Sequence, residues 1–239
     1  MTVSFIVPAH NEEQLLGRTL NAIAVASRAL GERTQVIVAD DASTDRTAAV
    51  AREHDAFVVS VNRRQIAAAR NAGASAATGE MLVFVDADTI VDAAVVRAAV
   101  EAMRGGAVGG GSTVRFDGRL PLYGRVLAAV TVPLYRAIRL ASPCFLFCTR
   151  DAFRATGGWD ERLFAAEEIA MSQALRRYGR FAILRDSVTT SGRKLRTYSA
   201  RELLGTLLRL TLSAPASVRT RDGLDVWYGE RRPDPDSGG

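Results

Sequence analysis

Four short apolar runs, Val3 to Val7, Gln35 to Ala39, Ala56 to Val61 and Met81 to Val85, punctuate the first half of the chain, and each gives way to polar residues. Their β-branched, apolar character predicts strands. The stretches between them, Glu12 to Ala29, Thr44 to Glu53, Gln65 to Ala77 and Asp92 to Met103, carry helical patterns. Strand and helix taking turns is the mark of successive βαβ units and of a parallel sheet covered on both faces. Asn11 stands where it can cap the first helix, with Glu12 and Glu13 in the opening turn, and Ser43 or Thr44 where either can cap the second. Gly105 to Gly111 reads as a flexible turn or as a glycine-laden strand start.

Beyond Arg119 the pattern loosens. An apolar stretch interrupted by Arg125, Arg136 and Arg139 runs to Phe145, followed by Gly157-Gly158-Trp159-Asp160 and an acidic-headed helix from Ala166. Its charges, with Pro133 and Pro143, make 119–148 unfit to span a bilayer. The last residues, 231–239, are rich in Pro, Asp, Ser and Gly and are expected to be a disordered tail. With 239 residues the chain suffices for one sizeable α/β domain, expected over 1–230, with halves at 1–115 and 116–230.

A net charge of +5 favours anionic partners. No nucleic-acid-reading motif is present and aromatics make up only 7%, which argues against a base-stacking surface and against nucleic acid as the partner. Cys144 and Cys148 read as buried thiols, since two cysteines are too few for a zinc site. Met1 leads directly into a strand-like run with no signal-peptide pattern, so a cytoplasmic location is expected.

In an open parallel sheet, ligands bind beyond the carboxyl ends of the strands. Asp86-Ala87-Asp88 follows the run Met81 to Val85. In a turn there, one carboxylate can hold Mg²⁺ or Mn²⁺ while the other orders a ribose or metal-bound water; the plainer reading is a solvated helix cap over Asp86 to Asp92. Asp40-Asp41-Ala42-Ser43-Thr44-Asp45 also follows a strand and opens a helix. Asp41 can accept from a nucleobase or a ribose hydroxyl, and Ser43 is assigned to capping.

Val7-Pro8-Ala9-His10-Asn11-Glu12-Glu13, then Asp40 to Asp45, then Ala69-Arg70-Asn71-Ala72-Gly73, then Asp86-Ala87-Asp88, then Gly157 to Phe164 and Glu167-Glu168 together resemble the family 2 glycosyltransferases, over roughly residues 1 to 190. The resemblance implies a GT-A fold: one α/β domain with a mostly parallel central sheet flanked by helices, a Rossmann-like nucleotide-binding half and an acceptor half. It implies inverting, metal-dependent transfer of a sugar from a UDP- or GDP-sugar to a hydroxyl acceptor, with Mg²⁺ or Mn²⁺ as cofactor. Pro8, Ala9 and Glu12 would lie beside base and ribose, Asp41 on the base, Arg70 near the donor, Asp86 at the ribose or metal water, and Asp88 on the metal. Where the family's second acidic motif is usually Glu-Asp, this chain has Glu167-Glu168, and Glu168 would be the base; the plainer alternative is that both acids suit the helix dipole.

The Gln-x-x-Arg-Trp segment of processive relatives is absent, which argues against a polymerising synthase. A late metal-binding histidine is missing too: His10 and His54 are the only two and read as structural, so phosphates and water would complete the metal shell while Arg193 or Lys194 meets the diphosphate. Two other functions compete. A non-catalytic nucleotide-sugar-binding scaffold is compatible with the Glu-Glu departure, whereas a nucleotidyltransferase calls for a glycine-rich basic loop where this chain reads Pro8 to Glu13. The stretch Arg119 to Cys148 is read either as an apolar face set against the inner face of an anionic membrane or receiving a lipid-linked acceptor, or as a core helix under the acceptor site.

Overall fold

The computed structural model describes residues 2–212, 217–232, 234 and 235. The chain opens with β1 (Thr2–Ala9), α1 (Leu16–Leu30), β2 (Arg33–Asp41), α2 (Thr47–Glu53), β3 (Phe57–Val61), α3 (Ile66–Ala76), β4 (Met81–Val85), the short β5 (Thr89–Ile90) and α4 (Ala93–Arg104). There follow β6 (Ala107–Phe116), α5 (Leu122–Ala137), β7 (Phe145–Thr149), α6 (Arg150–Thr156), α7 (Glu167–Arg176), β8 (Arg180–Thr190), α8 (Arg193–Thr197), α9 (Ala200–Leu212), a 3₁₀ turn at Ser217–Arg219 and α10 (Asp225–Tyr228).

The eight strands among the described residues form one sheet in the order β3-β2-β1-β4-β7-β6-β8-β5. The first four are mutually parallel; β7 runs antiparallel to both β4 and β6, and β8 rejoins β6 in parallel. This is the expected α/β domain with a mostly parallel sheet between helices. Alternation along β1 divides the core: Val3, Phe5 and Val7 face Leu16, Leu20 and Ile23 of α1 and Val95, Val96 and Ala99 of α4, while Ile6 joins Leu82 and Phe84 against α3 and α7. All five residues of β4 are buried, as a central strand requires.

The predicted strands and helices are present, but the first two helices start late. Asn11 does not cap α1: its backbone is left-handed (φ 51°) and its Oδ1 accepts the Thr44 N–H at 2.8 Å. Ser43 does not cap α2 either, because its Oγ accepts the Asn11 N–H at 3.0 Å. These residues tie the loop after β1 to the loop after β2 instead of ending helices. Gln65 and Asp92 do cap, accepting from the Ala68 and Val95 N–H groups. Glycines 109–111 lie inside β6, and a side chain at Gly110 would run into the Ala182 carbonyl of the neighbouring strand. Cys144 and Cys148 are buried free thiols, as expected, and burial pushes Cys144 up to about 12.

Two readings need correction. Within the stretch expected to be a disordered tail, Arg231 pairs with Glu12, Arg232 with Glu202 and Asp234 with Arg196, each charge finding a counterion; residues 233 and 236–239 lie outside the described residues. Helix α5 is not a core helix, since Leu122, Val126, Val130, Leu134 and Ile138 are exposed. No helix among the described residues is long and apolar enough to cross a membrane.

Candidate functional site

The chain leaves β3 on the far side of β2 and returns as β4 on the other flank of β1, so a crevice opens beyond the carboxyl ends of β1, β2 and β4. Pro8, Ala9, Glu12, Asp41, Asp86 and Asp88, read separately from the sequence, all line this one cavity, joined by His10, Gln65 and Lys194. The surrounding loops are held in unusual conformations: Asn11, Ala42 and Arg64 all have positive φ, a cost that persists only where neighbours over-determine the backbone. Asp41 does much of that bracing. Its Oδ1 accepts the N–H groups of Arg63 and Arg64, both at 2.8 Å, and its Oδ2 that of Gln65 at 2.6 Å. Asp41 is thus an organiser of the α3 entry loop that also faces the cavity. His10 Nδ1 meets the Asp41 carbonyl at 2.8 Å, consistent with its structural reading, and burial lowers its pKa.

Asp86 and Asp88 flank buried Ala87 at the cavity floor. Burial raises the Asp88 pKa while Lys194, the largest opposing influence, lowers it. The Asp88 carboxylate accepts from Thr190 Oγ1 at 3.3 Å, and its carbonyl accepts the Ser191 N–H, which anchors it to the end of β8. No cluster of three or more His, Cys, Asp or Glu poised for a metal occurs among the described residues. Two carboxylates, both hard oxygen donors, fit Mg²⁺ or Mn²⁺ that keeps waters and takes further oxygens from substrate phosphates.

Arg70 is not where it was expected. It is 2% exposed and lies behind the cavity wall, donating through Nη2 to Asp86 Oδ1 at 2.9 Å and to the Pro143 carbonyl at 3.0 Å, and through Nη1 to Glu167 Oε1 at 2.9 Å. The guanidinium stacks on Trp159, 4.5 Å from the ring centre. Asn71 completes the link, accepting the Trp159 N–H and donating to its carbonyl. The Ala69 to Gly73 and Gly157 to Asp160 motifs are therefore one structural unit. Arg70 thus braces Asp86 at the cavity and ties it to Glu167 and the Pro143 carbonyl.

Glu167 and Glu168 are both buried at the start of α7, entered through left-handed Ala166 (φ 62°). Glu167 is committed to Arg70. Among the described residues Glu168 makes no such pair. With Arg70 opposed by Asp86 and Glu167, a further negative charge is disfavoured, and burial followed by repulsion from Glu167 pushes Glu168 up to about 8. Its charge reaches Tyr135, whose phenol is pushed up to about 12 by burial and then by Glu168.

Arg193 also departs from expectation. It is buried in a two-pronged contact with Glu12, 2.8 and 3.0 Å from the two oxygens, while the adjacent Lys194 enters the cavity. Sequence reasoning missed Trp227, Tyr228 and Arg231, which line the cavity from the C-terminal segment; Arg231 reaches Glu12 Oε1 at 2.9 Å. The Trp227-Tyr228 pair ahead of Gly229 was the available signal, and a tail reading based on composition hid Arg231. With these side chains in place the cavity measures about 90 Å³, against roughly 300 Å³ or more for usual small-molecule sites.

The model of the glycosyl transferase family 2 matches residues 4–153. Validoxylamine A glucosyltransferase of Streptomyces hygroscopicus is 34% identical over 110 residues, which are 43% of this chain and 26% of that protein, so the match spans about a quarter of that relative. Among solved structures, a mannosyltransferase of Pyrobaculum calidifontis in complex with GDP-Man and Mn²⁺ superposes with a TM-score of 0.65 at 20% identity, covering 85% of this chain and 59% of that one. Glucosyl-3-phosphoglycerate synthase of Mycobacterium tuberculosis, with Mn²⁺ and UDP, gives 0.60 at 23% identity over 98% and 81%. These structural likenesses establish the GT-A fold. Taken with a family model that matches more than half of its length, they place the chain in glycosyl transferase family 2.

Proposed function

We propose that the protein transfers a hexosyl group from a UDP- or GDP-sugar to a hydroxyl acceptor with inversion, using Mg²⁺ or Mn²⁺ held at Asp88. The carrying observation is the convergence of Pro8, Ala9, Glu12, Asp41, Asp86 and Asp88 on one cavity at the carboxyl ends of three adjacent parallel strands. In support, the structural neighbours contain GDP-Man or UDP with Mn²⁺.

In this reading Pro8, Ala9 and Asp41 seat the base, Glu12 the ribose, and Asp86 and Asp88 the cation, whose chemistry is to offset charge on the departing diphosphate. Lys194, read from the sequence together with Arg193 as a partner for the diphosphate, sets an ammonium beside Asp88 and takes that role in place of the buried Arg193. The acceptor oxygen attacks the anomeric carbon from the face opposite the diphosphate. Its bond to carbon forms as the carbon–phosphate-oxygen bond breaks, the hydroxyl proton passes to the Glu168 carboxylate, and the nucleoside diphosphate leaves. A base with a pKa near 8 is well matched to this step, because it is a stronger proton acceptor than an ordinary carboxylate while still titrating near neutrality. Donor entry requires Trp227, Tyr228 and Arg231 to give way.

The test is a thermal-shift screen of nucleoside diphosphates with and without Mn²⁺, since a ligand that binds only the native state raises its apparent stability. UDP or GDP with Mn²⁺ is expected to raise the melting temperature more than either component alone. No shift with any nucleotide would refute the proposal.

A further inference from the structure

The outer face of α5 carries Leu122, Val126, Val130 and Leu134, continued by Ile138 at its C-cap, each four residues from the next and between 47% and 74% exposed. At 3.6 residues per turn these positions form one contiguous apolar sector. A soluble helix that packs on its own core hides such a sector; this one presents it to solvent. Helix α9, whose Leu203 packs with Tyr123 and Leu127 of α5, adds exposed Leu204 and Leu208.

The stretch that builds the sector carries charge of one sign, and Glu202 of α9, near Tyr123, is paired with Arg232. Not one acidic residue occurs between Asp117 and Asp151. Arg125 and Arg136, both exposed, stand eleven residues apart, which is three helical turns to within about 20°, so they share one border of the apolar sector; exposed Arg139 follows the helix end. Long basic side chains on the rim of an apolar face can rest their stems on it and hold their heads among phosphates.

Behind the helix is a second, partly open cavity of about 250 Å³, between α5 and the β6–β8 part of the sheet. Val114, Phe116, Leu127, Val132, Leu140 and Ile183 give it an apolar wall. It comes close to the acidic pair on one side: Pro143, which lines it, gives its carbonyl to Arg70, and Tyr135, which also lines it, feels the charges of Glu168 and Glu167. Ser112 lines it as well, 2% exposed and with its hydroxyl unpartnered among the described residues, a polar group waiting for a ligand.

We propose that α5 docks on an anionic membrane surface and that the cavity behind it takes the hydrocarbon chain of a lipid-borne acceptor whose hydroxyl meets Glu168. This rests on the transferase reading for the acceptor's chemistry, while the docking stands on the apolar sector and its arginines.

The experiment is flotation of the full chain with vesicles of phosphatidylcholine plus phosphatidylglycerol, and of phosphatidylcholine alone, at low and high salt. Wild type is expected to float with the anionic vesicles and to release at high salt. Replacing two exposed valines, Val126→Asp with Val130→Asp, is expected to cut the bound fraction by about tenfold or more without lowering the melting temperature. For the cavity, 1-dodecanol is the probe: it should raise the melting temperature of wild type and not of Ala128→Trp, which fills the space. Absence of wild-type flotation, equal flotation of the double variant, or an equal dodecanol shift in Ala128→Trp would each overturn the proposal. So would sedimentation showing a dimer that the double variant dissociates, because a second copy would then cover the sector. UDP with Mn²⁺ on the same samples separates the two claims: a nucleotide shift without flotation sinks the lipid surface alone, and flotation without a nucleotide shift sinks the transferase reading and the acceptor with it, leaving only the docking surface.

Discussion

Replacing Glu168 with glutamine removes one proton site and almost nothing else, so it isolates what burial does to that carboxyl. In the wild type the group moves from its ordinary 4.5 to about 8 on folding, through burial and the neighbouring Glu167 charge. A raised folded-state pKa means that the folded protein binds more protons than the unfolded chain between those two values, so stability is full below 4.5 and is lost as pH rises toward 8. At about 1.4 kcal/mol per pH unit the whole effect is about 5 kcal/mol. Roughly half of it, about 2 to 3 kcal/mol, is lost between about pH 6 and about pH 9. Glutamine mimics the protonated form and does not titrate, so Glu168→Gln should gain that much on wild type across the same interval. Urea unfolding of the ligand-free proteins at the two pH values reads the difference, and titration of groups that do not interact with Glu168 cancels. Transfer behaves oppositely: wild-type kcat/KM should rise with pH, half-maximal near 8 and level above about 9, and the variant should lie about 10²-fold or more below that plateau, the two converging toward acid pH. Parallel stability curves for the two proteins would refute the buried-proton argument, and undiminished transfer would remove Glu168 from the chemistry.

Arg70→Ala leaves Glu167 and Asp86 buried or half-buried without their counterion and should cost about 3–5 kcal/mol in urea unfolding; Arg70→Lys, able to hold only one partner well, should fall between. Glu167→Gln removes the like charge beside Glu168, so the pH–rate profile should shift toward acid while stability drops, a pairing of effects that loss of a catalytic base would not produce. Asp88→Asn should abolish the Mn²⁺-dependent part of the nucleotide thermal shift and most turnover, and retention of both would reassign the metal ligand.

The sheet was legible because its strands are continuous apolar runs: Met81 to Val85 is buried at every position, and no other reading accommodates it. Residues immediately after strands were legible for the same reason, since strand ends place Pro8, Ala9, Asp41, Asp86 and Asp88 at one edge whatever the loops do. The pairings were not. An arginine in an alanine-rich helix looks alike whether it reaches solvent, phosphate or two buried carboxylates; only the fold brings Glu167, 97 positions away, to Arg70. Asn11 and Ser43 have the chemistry of caps, and they found each other's loops first, because two left-handed residues, Asn11 and Ala42, turn the segments together. The C-terminal contributions failed on composition, which describes a segment's average and misses one arginine directed at Glu12.

Crystals grown with UDP or GDP and Mn²⁺ give the most direct test, through the anomalous signal of the metal. The account predicts a manganese peak within bonding distance of an Asp88 carboxylate oxygen, with the nucleobase beside Pro8 and Asp41 and the diphosphate between the metal and Lys194. A nucleotide bound elsewhere on the molecule, or one bound in this cavity with no manganese at Asp88, would contradict it.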